Sequence, residues 1–338
     1  MLELEHFWQS LEDKYELSYK KVKIPEKLNI PHKLIKSQSL FPIRFYNKQI
    51  FENLCRNSGW YLYRSRKLNI IPENKKIALT FDCDYKEDSI ASQKILPLLK
   101  KYGIKASFAC VGKLIEHDKE IYNNLYSEGH ELVNHTYTHP RNPVLAPDRR
   151  FDEISEDEQR EEIVKCHNII KDLTGERPIS FRSPHFYDNM KEFKILDEMG
   201  YRYCSSVTTN NCMLGLPYHP AREGFGKYSY LMSSINQKDN FNILMIPVDV
   251  CPAHKGSVFS TYHCLRDTIG KHHDLNEFCR LWIRVLKENE YKKFICVYFD
   301  PMDIAKDDAT LKYFEKMIIY AKENEWEFEL LKQIEEAK

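Results

Sequence analysis

From residue 76 onward, short apolar segments alternate with longer amphipathic segments, and this alternation constrains the fold more than any other feature of the chain. Short runs rich in β-branched and aromatic residues are typical of strands, and longer segments with helical spacing are typical of the helices that connect parallel strands. The predicted strands are KKIALTFD, KASFACVG, HELVNHT, PISFRSP, YRYCSSV, NILMIPVDV and KFICVYFD. About seven strands with intervening helices predict an α/β fold built as a closed or nearly closed barrel.

Helices are predicted between these strands. The segments KEDSIASQKILPLLKKYG, DEQREEIVKCHNIIKDLTG and KEFKILDEMG each finish at a glycine, a residue that commonly stops a helix. A further segment, LNEFCRLWIRVLKENE, carries one apolar stripe that predicts core packing, formed by Leu275, Phe278, Leu281, Trp282, Val285 and Leu286.

Charge and composition exclude several classes of partner. The 338 residues contain 50 Lys plus Arg and 50 Asp plus Glu, so no net field attracts nucleic acid or an anionic membrane. No apolar run reaches the roughly 18 residues of a membrane span. The acidic N-terminus does not resemble a signal peptide, and the ten cysteines include no CxxC pair. We therefore expect a soluble, cytoplasmic protein with reduced thiols and a small-molecule or glycan partner.

Residues 1–75 differ from the rest of the chain. They combine basic and aromatic segments, such as WYLYRSRK, with several prolines. We predict an N-terminal extension of unknown role over residues 1–75 and a barrel domain over residues 76–338.

The segment LTFDCDY ends a predicted buried strand with two aspartates. Successive strand side chains point to opposite faces, so Asp82 and Asp84 share a face. Two such carboxylates either share a proton or are bridged by a cation. A structural alternative is that Asp82 caps a turn and Asp84 caps the following helix.

Two more predicted strand ends carry polar side chains. In GHELVNHTYTHP, His135 and His139 are four residues apart, a spacing that lets two imidazoles meet one metal if the segment forms a helical turn. Two histidines and a carboxylate form a common catalytic zinc set, which leaves the second aspartate as a general base. In FRSPHFY, Arg182 either pairs with that spare carboxylate or forms an ordinary surface salt bridge.

These three segments together resemble the polysaccharide deacetylases, also called the NodB homology or carbohydrate esterase family 4 proteins. ALTFDCD resembles the first motif of the family, NHTYTHP the second and FRSPHF the third, and the resemblance covers roughly residues 76–330. It implies a distorted (β/α)7-type barrel that binds a divalent metal, most commonly Zn²⁺, with Co²⁺ or Ni²⁺ as alternatives. The roles that it implies are Asp82 as catalytic base, Asp84, His135 and His139 as metal ligands, Arg182 as the partner of the base, and the backbone N–H of His185, after Pro184, as an oxyanion donor.

The chain departs from the family pattern at two positions. Cys204 stands where relatives usually carry an aspartate, and Asp300 stands where many carry a histidine that acts as general acid. An aspartate can donate a proton only if burial or negative neighbours raise its pKa. Other candidates for the proton donor are His185, His219 and His254, and Cys251 and Cys83 are alternative thiolate ligands.

The resemblance implies a metal-dependent hydrolase that removes the N-acetyl group of an amino sugar. Together with the expected cytoplasmic location, it favours a nucleotide-linked or lipid-linked glycan precursor as the substrate. Two alternatives stay open: hydrolysis of another non-peptide C–N bond, as in allantoinase-like or deformylase-like enzymes, and a catalytically impaired homologue that only binds metal and sugar.

Overall fold

The structure is a computed structural model that describes residues 72–208, 217–220, 222, 240–254, 257–266 and 273–334. Its strands are β1 Lys75–Cys83, β2 Ser107–Cys110, β3 Glu131–Asn134, β4 Ser180–Phe181, β5 Tyr203–Cys204, β6 Leu244–Met245, β7 Phe294–Phe299 and β8 Trp326–Glu329. Its helices are α1 Lys86–Lys101, α2 Gly112–His117, α3 Lys119–Ser127, α4 Glu156–Thr174, α5 Met190–Glu198, α6 Leu275–Glu288, α7 Pro301–Ile304 and α8 Asp308–Glu323. The seven predicted strands and the four predicted helical segments are all present.

The strands form one parallel sheet in the order β6-β5-β4-β3-β2-β1-β7, and β8 also pairs with β1. The sheet curls with helices around it, which confirms the predicted distorted (β/α)7-type barrel. β1 is the most heavily paired strand, because β7 lines one edge while β2 and β8 share the other. The sequence prediction missed β8, a short strand of which only Trp326 is fully buried.

Asp249 joins the two ends of the curled sheet. It follows β6, and its backbone N–H donates to the carbonyl of Cys296 in β7 over 2.7 Å. Its carboxylate accepts the Cys296 N–H at 3.0 Å and the Lys292 ammonium at 2.6 Å. The side-chain and backbone hydrogen bonds of Asp249 therefore link the segment after β6 to β7. These two described strands form no β-ladder with each other.

The helices begin and end as their sequences predict. The Ser155 side chain accepts from the N–H of Glu158, whose carboxylate returns to the Ser155 N–H at 2.9 Å, so α4 starts with a capping box. Gly175 follows α4 with φ of 74°, a left-handed conformation that a residue without Cβ adopts at little cost. In α6, the predicted stripe is buried except for Leu275, which is half-buried.

Alternate residues of β1 pack on opposite sides of the sheet. Ile77 and Leu79 belong to the layer between sheet and helices, whereas Ala78 lies in the barrel interior. Cys83 joins the helix-facing layer, so Asp82 and the inward residues share the other face. The period-2 prediction for this strand is confirmed.

Residues 1–71, which make up most of the predicted N-terminal extension, lie outside the described residues. β1 begins at Lys75, one residue before the predicted start of the barrel domain, and the division into two parts stays a prediction. Among the described helices, none has the length and apolarity to cross a membrane.

We expect Lys292→Met to destabilise the protein strongly. The Lys292 and Asp249 side chains are only 0% and 2% exposed, so removing the ammonium leaves a buried carboxylate without its countercharge. Loss of one partner of such a pair costs about 3–5 kcal/mol. Urea denaturation measures the loss, and Lys312→Met on the exposed face of α8 is the control. Equal denaturation midpoints for the two variants would show that the ion pair between Lys292 and Asp249 does not stabilise the fold.

Candidate active site

The predicted site residues follow the carboxyl ends of four strands. Asp82 and Asp84 stand at the end of β1, His135 follows β3, Arg182 follows β4 and Asp300 follows β7. Because the strands are parallel, their carboxyl ends open on the same side of the sheet. The structure therefore brings residues that are up to 218 positions apart in sequence to one mouth.

The three predicted metal ligands, Asp84, His135 and His139, form a compact group. A carboxylate oxygen of Asp84 and one ring nitrogen each of His135 and His139 all lie within 4.8 Å of one another. Asp84 Oδ1 is 3.2 Å from His135 Nε2 and 3.5 Å from His139 Nε2. Nitrogen and oxygen ligands of a tetrahedral zinc ion lie about 3.3–3.5 Å apart, so the spacing fits a divalent cation.

The polar atoms of this group have few other partners. Asp84 Oδ1 and His139 Nδ1 are buried without a hydrogen bond among the described residues. Buried polar atoms are rarely left in this state unless an ion or a water completes them. The observation supports the assignment of Asp84, His135 and His139 as ligands, which stays a prediction.

The histidine segment does not form the helical turn that the four-residue spacing required. Residues 135–139 are irregular, and Thr136 and His139 have φ values of 64° and 52°. Positive φ is a genuine outlier for β-branched threonine. The buried Asn134 side chain accepts the Thr136 N–H at 2.9 Å, and Glu162 accepts the Thr138 hydroxyl at 2.7 Å. These bonds hold both imidazoles against Asp84 without a helix.

A backbone carbonyl fixes the orientation of His135. His135 Nδ1 lies 2.7 Å from the carbonyl oxygen of Arg182. Because a carbonyl oxygen only accepts, Nδ1 carries the hydrogen and Nε2 faces Asp84. Burial lowers the pKa of His139 to about 3, so this ring is neutral at physiological pH. Although burial opposes it, the pKa of Asp84 is lowered because His139 and His135 favour its ionised form.

Asp82 and Arg182 form a buried ion pair. Arg182 Nη1 donates to Asp82 Oδ1, and the side chains are 1% and 6% exposed. Arg182 Nε also donates to the Ser205 hydroxyl at 3.0 Å, and its guanidinium lies 5.5 Å from the ring centroid of Tyr298. Burial raises the pKa of Asp82, while the guanidinium opposes that rise. The surface salt bridge that was the alternative for Arg182 is therefore wrong.

The segment after Arg182 borders the ligand group. Pro184–Phe186 is a 3₁₀ turn in which His185 has φ of 53°. The His185 ring lies 4.9 Å from the His139 ring, and burial lowers the pKa of His185. This turn places the His185 ring beside the predicted ligands, and the oxyanion role of Pro184 and the His185 backbone N–H stays a prediction.

Asp300 lies in an acidic cluster that contains one cation. Its carboxylate accepts from Arg266 Nη2 at 2.7 Å, and its backbone N–H donates to the Thr261 hydroxyl at 2.8 Å. Arg266 Nε is also 3.3 Å from Asp303. Burial and the nearby Asp88 raise the pKa of Asp300 well above its usual range. For Asp88 itself, burial and Asp84 raise the pKa to about 8.

Sequence reasoning missed Arg266 and the hydrogen bonds among Cys204, Ser206 and Ser183 at the ends of β4 and β5. Arg266 lies in the π-helical turn Tyr262–Arg266, far from any predicted strand end, so no sequence signal linked it to Asp300. Cys204, the departure in β5, is buried with its sulfur 2.9 Å from the Ser206 hydroxyl. Ser206 in turn accepts the N–H of Ser183 at 2.8 Å. Serine side chains therefore provide hydrogen bonds at the ends of β4 and β5.

Apart from His185, whose ring borders the ligand group, the alternative donors and ligands lie elsewhere. Cys83 faces the helix layer and is fully buried, so it does not face the ligand group. His219 Nδ1 lies 3.1 Å from the carbonyl oxygen of Phe241. His254 lies 3.7 Å from Cys251 and stacks on His273.

Comparison with known proteins gives a family match over part of the chain and a likeness in fold. A model of the polysaccharide deacetylase family matches residues 70–204, which include β1 to β5. A peptidoglycan-N-acetylglucosamine deacetylase of Bacillus cereus is 37% identical over 115 residues, covering 34% of this chain and 38% of that protein. The curated relatives are matched over 22–57% of their own length, so the chain spans well under two thirds of each.

Solved structures support the same architecture. A Mycobacterium smegmatis protein assigned to the polysaccharide deacetylases has a TM-score of 0.61 at 16% identity, with 78% of this chain and 90% of that chain covered. A Puue allantoinase has a TM-score of 0.57 at 16% identity, with the same coverage. At this identity the two likenesses concern the fold alone.

We expect His139→Ala to purify with about one equivalent less bound metal than the parent chain. A three-ligand site loses both charge and geometry when one imidazole is removed. Elemental analysis of the purified protein measures the change. His117→Ala, which alters an imidazole that is 61% exposed, should leave the metal content unchanged. An unchanged metal content in His139→Ala would refute the ligand assignment.

Proposed function

Because a model of the polysaccharide deacetylase family matches residues 70–204, we propose that this protein is a metal-dependent hydrolase that removes the N-acetyl group of an amino sugar. The observation that carries the proposal is the joint geometry at the end of β1. Asp84 meets two imidazoles within 4.8 Å, and Asp82, two residues earlier, is paired with a buried guanidinium. The residues proposed to bind the cation and the residue proposed as the base therefore lie together at the carboxyl end of β1.

Asp84, His135 and His139 would hold the cation. When bound, a divalent ion supplies Lewis-acid polarisation of the acyl oxygen and lowers the pKa of water. Asp82 accepts the proton of the attacking water as the new C–O bond forms. Arg182 keeps the Asp82 carboxylate ionised and oriented, and the backbone N–H of His185 donates to the acyl oxygen as it becomes negative.

The amine must leave with a proton as the C–N bond breaks. Asp300 is the proposed donor, since among the described residues the carboxylates of Asp88, Asp300 and Asp303 surround one guanidinium, that of Arg266, and Lys306 acts more weakly on Asp303 alone. Fewer positive than negative groups in a buried cluster favour retention of a proton. The assembled cluster favours an active enzyme over the metal- and sugar-binding homologue without turnover.

The proposed substrate is a soluble or lipid-linked precursor that carries an N-acylated amino sugar. Curated relatives are named as deacetylases of peptidoglycan, which supports an N-acetylated glycan in general. The preference for a nucleotide-linked or lipid-linked precursor depends on the cytoplasmic location expected from the sequence. Zn²⁺ is the proposed metal because nitrogen and carboxylate ligands in a three-residue set suit it.

The test is a substrate panel with Zn²⁺ or Co²⁺ added. It contains a nucleotide-linked N-acetyl amino sugar, a lipid-linked one, a peptidoglycan fragment, an N-formyl amino sugar and allantoin. Release of acetate from an N-acetyl sugar is the expected result. Turnover of allantoin or of the N-formyl sugar alone would assign another C–N bond, and a metal-loaded protein without turnover on any substrate would favour the non-catalytic homologue.

We expect Asp82→Asn to keep its metal and to lose turnover by about 10²- to 10⁴-fold, the contribution of a positioned general base. The amide keeps the shape of the side chain but cannot accept the proton. Acetate release and elemental analysis are measured on the same preparation, with the exposed Asp308→Asn as control. If Asp82→Asn lost metal while Asp84→Asn kept it, the two aspartates would have exchanged roles.

The alkaline side of the pH–rate profile should depend on Asp300. Its raised pKa keeps the carboxyl protonated to higher pH than usual, and activity falls as the carboxyl ionises. Arg266→Met removes the cation that favours the carboxylate, so the alkaline limb should move to higher pH. Asp300→Asn should lower the rate by at least about tenfold with unchanged metal content. An alkaline limb at the same pH in Arg266→Met would exclude Asp300 as the titrating donor.

A further inference from the structure

A second group of metal-ligand type lies outside the site described above. Cys251 Sγ and one ring nitrogen each of His254 and His273 all lie within 4.8 Å of one another. These residues come from the segment that follows Asp249 and from the residue that precedes the N-cap of α6. The proposed deacetylase mechanism uses none of the three.

The distances suit a tetrahedral ion. Cys251 Sγ is 3.7 Å from His254 Nδ1, and sulfur and nitrogen ligands of tetrahedral zinc lie about 3.5 Å apart. The rings of His254 and His273 lie nearly parallel, with centroids 5.0 Å apart and an interplanar angle of 17°. His273 Nε2 is buried and has no hydrogen-bond partner among the described residues. A buried ring nitrogen without a hydrogen-bond partner is commonly completed by an ion or a water.

A second thiol, that of Cys264 in the π-helical turn, lies next to this group, although its sulfur is not among the ligand atoms that all lie within 4.8 Å of one another. The Cys264 thiol hydrogen-bonds to that of Cys251, and the Cys264 carbonyl accepts the His273 N–H at 2.8 Å. Both cysteines are 1% exposed and neither is in a disulfide.

We propose that Cys251, His254, Cys264 and His273 bind one structural zinc ion. Two thiolates and two imidazoles make a closed tetrahedral set with no position left for substrate, and sulfur with nitrogen ligands selects zinc over magnesium or calcium. The spacing from Cys251 to His254 also falls within the short intervals common in structural zinc sites.

The proposed ion would fix the segment that serves the acid cluster. Thr261 and Arg266, which both contact Asp300, flank Cys264 in this segment. Metal binding at Cys264 would therefore hold the guanidinium in place beside the Asp300 carboxylate. The second site is structural, but it supports the mouth of the barrel.

Metal stoichiometry in the full-length chain tests the proposal independently of activity. The parent should bind two equivalents of Zn²⁺, and Cys251→Ser and His139→Ala should each bind one. After replacement with Co²⁺, the parent and His139→Ala should show thiolate-to-cobalt charge-transfer absorption in the near ultraviolet, and Cys251→Ser should lose most of it. Cys279→Ser, which changes another buried thiol in α6, should keep both equivalents and the absorption.

Three results would overturn the proposal: a cobalt-loaded parent without thiolate absorption, two equivalents retained in Cys251→Ser, or a Cys251–Cys264 disulfide found by mass spectrometry in the metal-loaded parent. If Cys251→Ser does not fold, the parent is stripped with chelator and titrated with Co²⁺ alone. The proposal is supported if the thiolate absorption saturates when one equivalent of Co²⁺ has bound at the Cys–His group. It is refuted if the protein saturated with Co²⁺ shows no such absorption.

Discussion

The pairing of β1 on both edges is the constraint on which the rest of the site depends. β7 fixes one edge in register from Lys76 to Phe81, and β2 fixes the other from Thr80 to Cys83. With both edges fixed, a slip by one residue would exchange the apolar and polar faces of the strand. The register therefore holds two carboxylates at the inner mouth while the thiol between them packs against helices.

Charges at that mouth are arranged in pairs that the sheet keeps apart. Asp82 has its own guanidinium in Arg182, whereas Asp84 faces the imidazoles of His135 and His139. If both aspartates contacted the same arginine, their carboxylates would have similar electrostatic surroundings. Separate partners fit the proposed division of roles, with Asp82 as an oriented base and Asp84 as a metal ligand.

The Cys–His group and the acid cluster are joined through one irregular segment. Arg266, which faces Asp300, belongs to the same π-helical turn as Cys264. Such turns are rare and occur frequently at functional sites, because a widened turn directs side chains in ways that a regular helix does not. Here the turn connects the Cys–His group with Asp300, because Cys264 and Arg266 both belong to it.

The sequence by itself determined the alternating strand and helix order, the inward direction of Asp82 and Asp84, and the strand ends that carry His135 and Arg182. Local periodicity and residue type suffice for these features, because each depends on neighbours within a few positions. Only the tertiary structure decided how the histidine segment bends, that β8 joins β1, and which cation faces Asp300. Those outcomes depend on contacts between distant residues, such as Arg266 with Asp300 and Asp249 with β7, which local patterns do not encode.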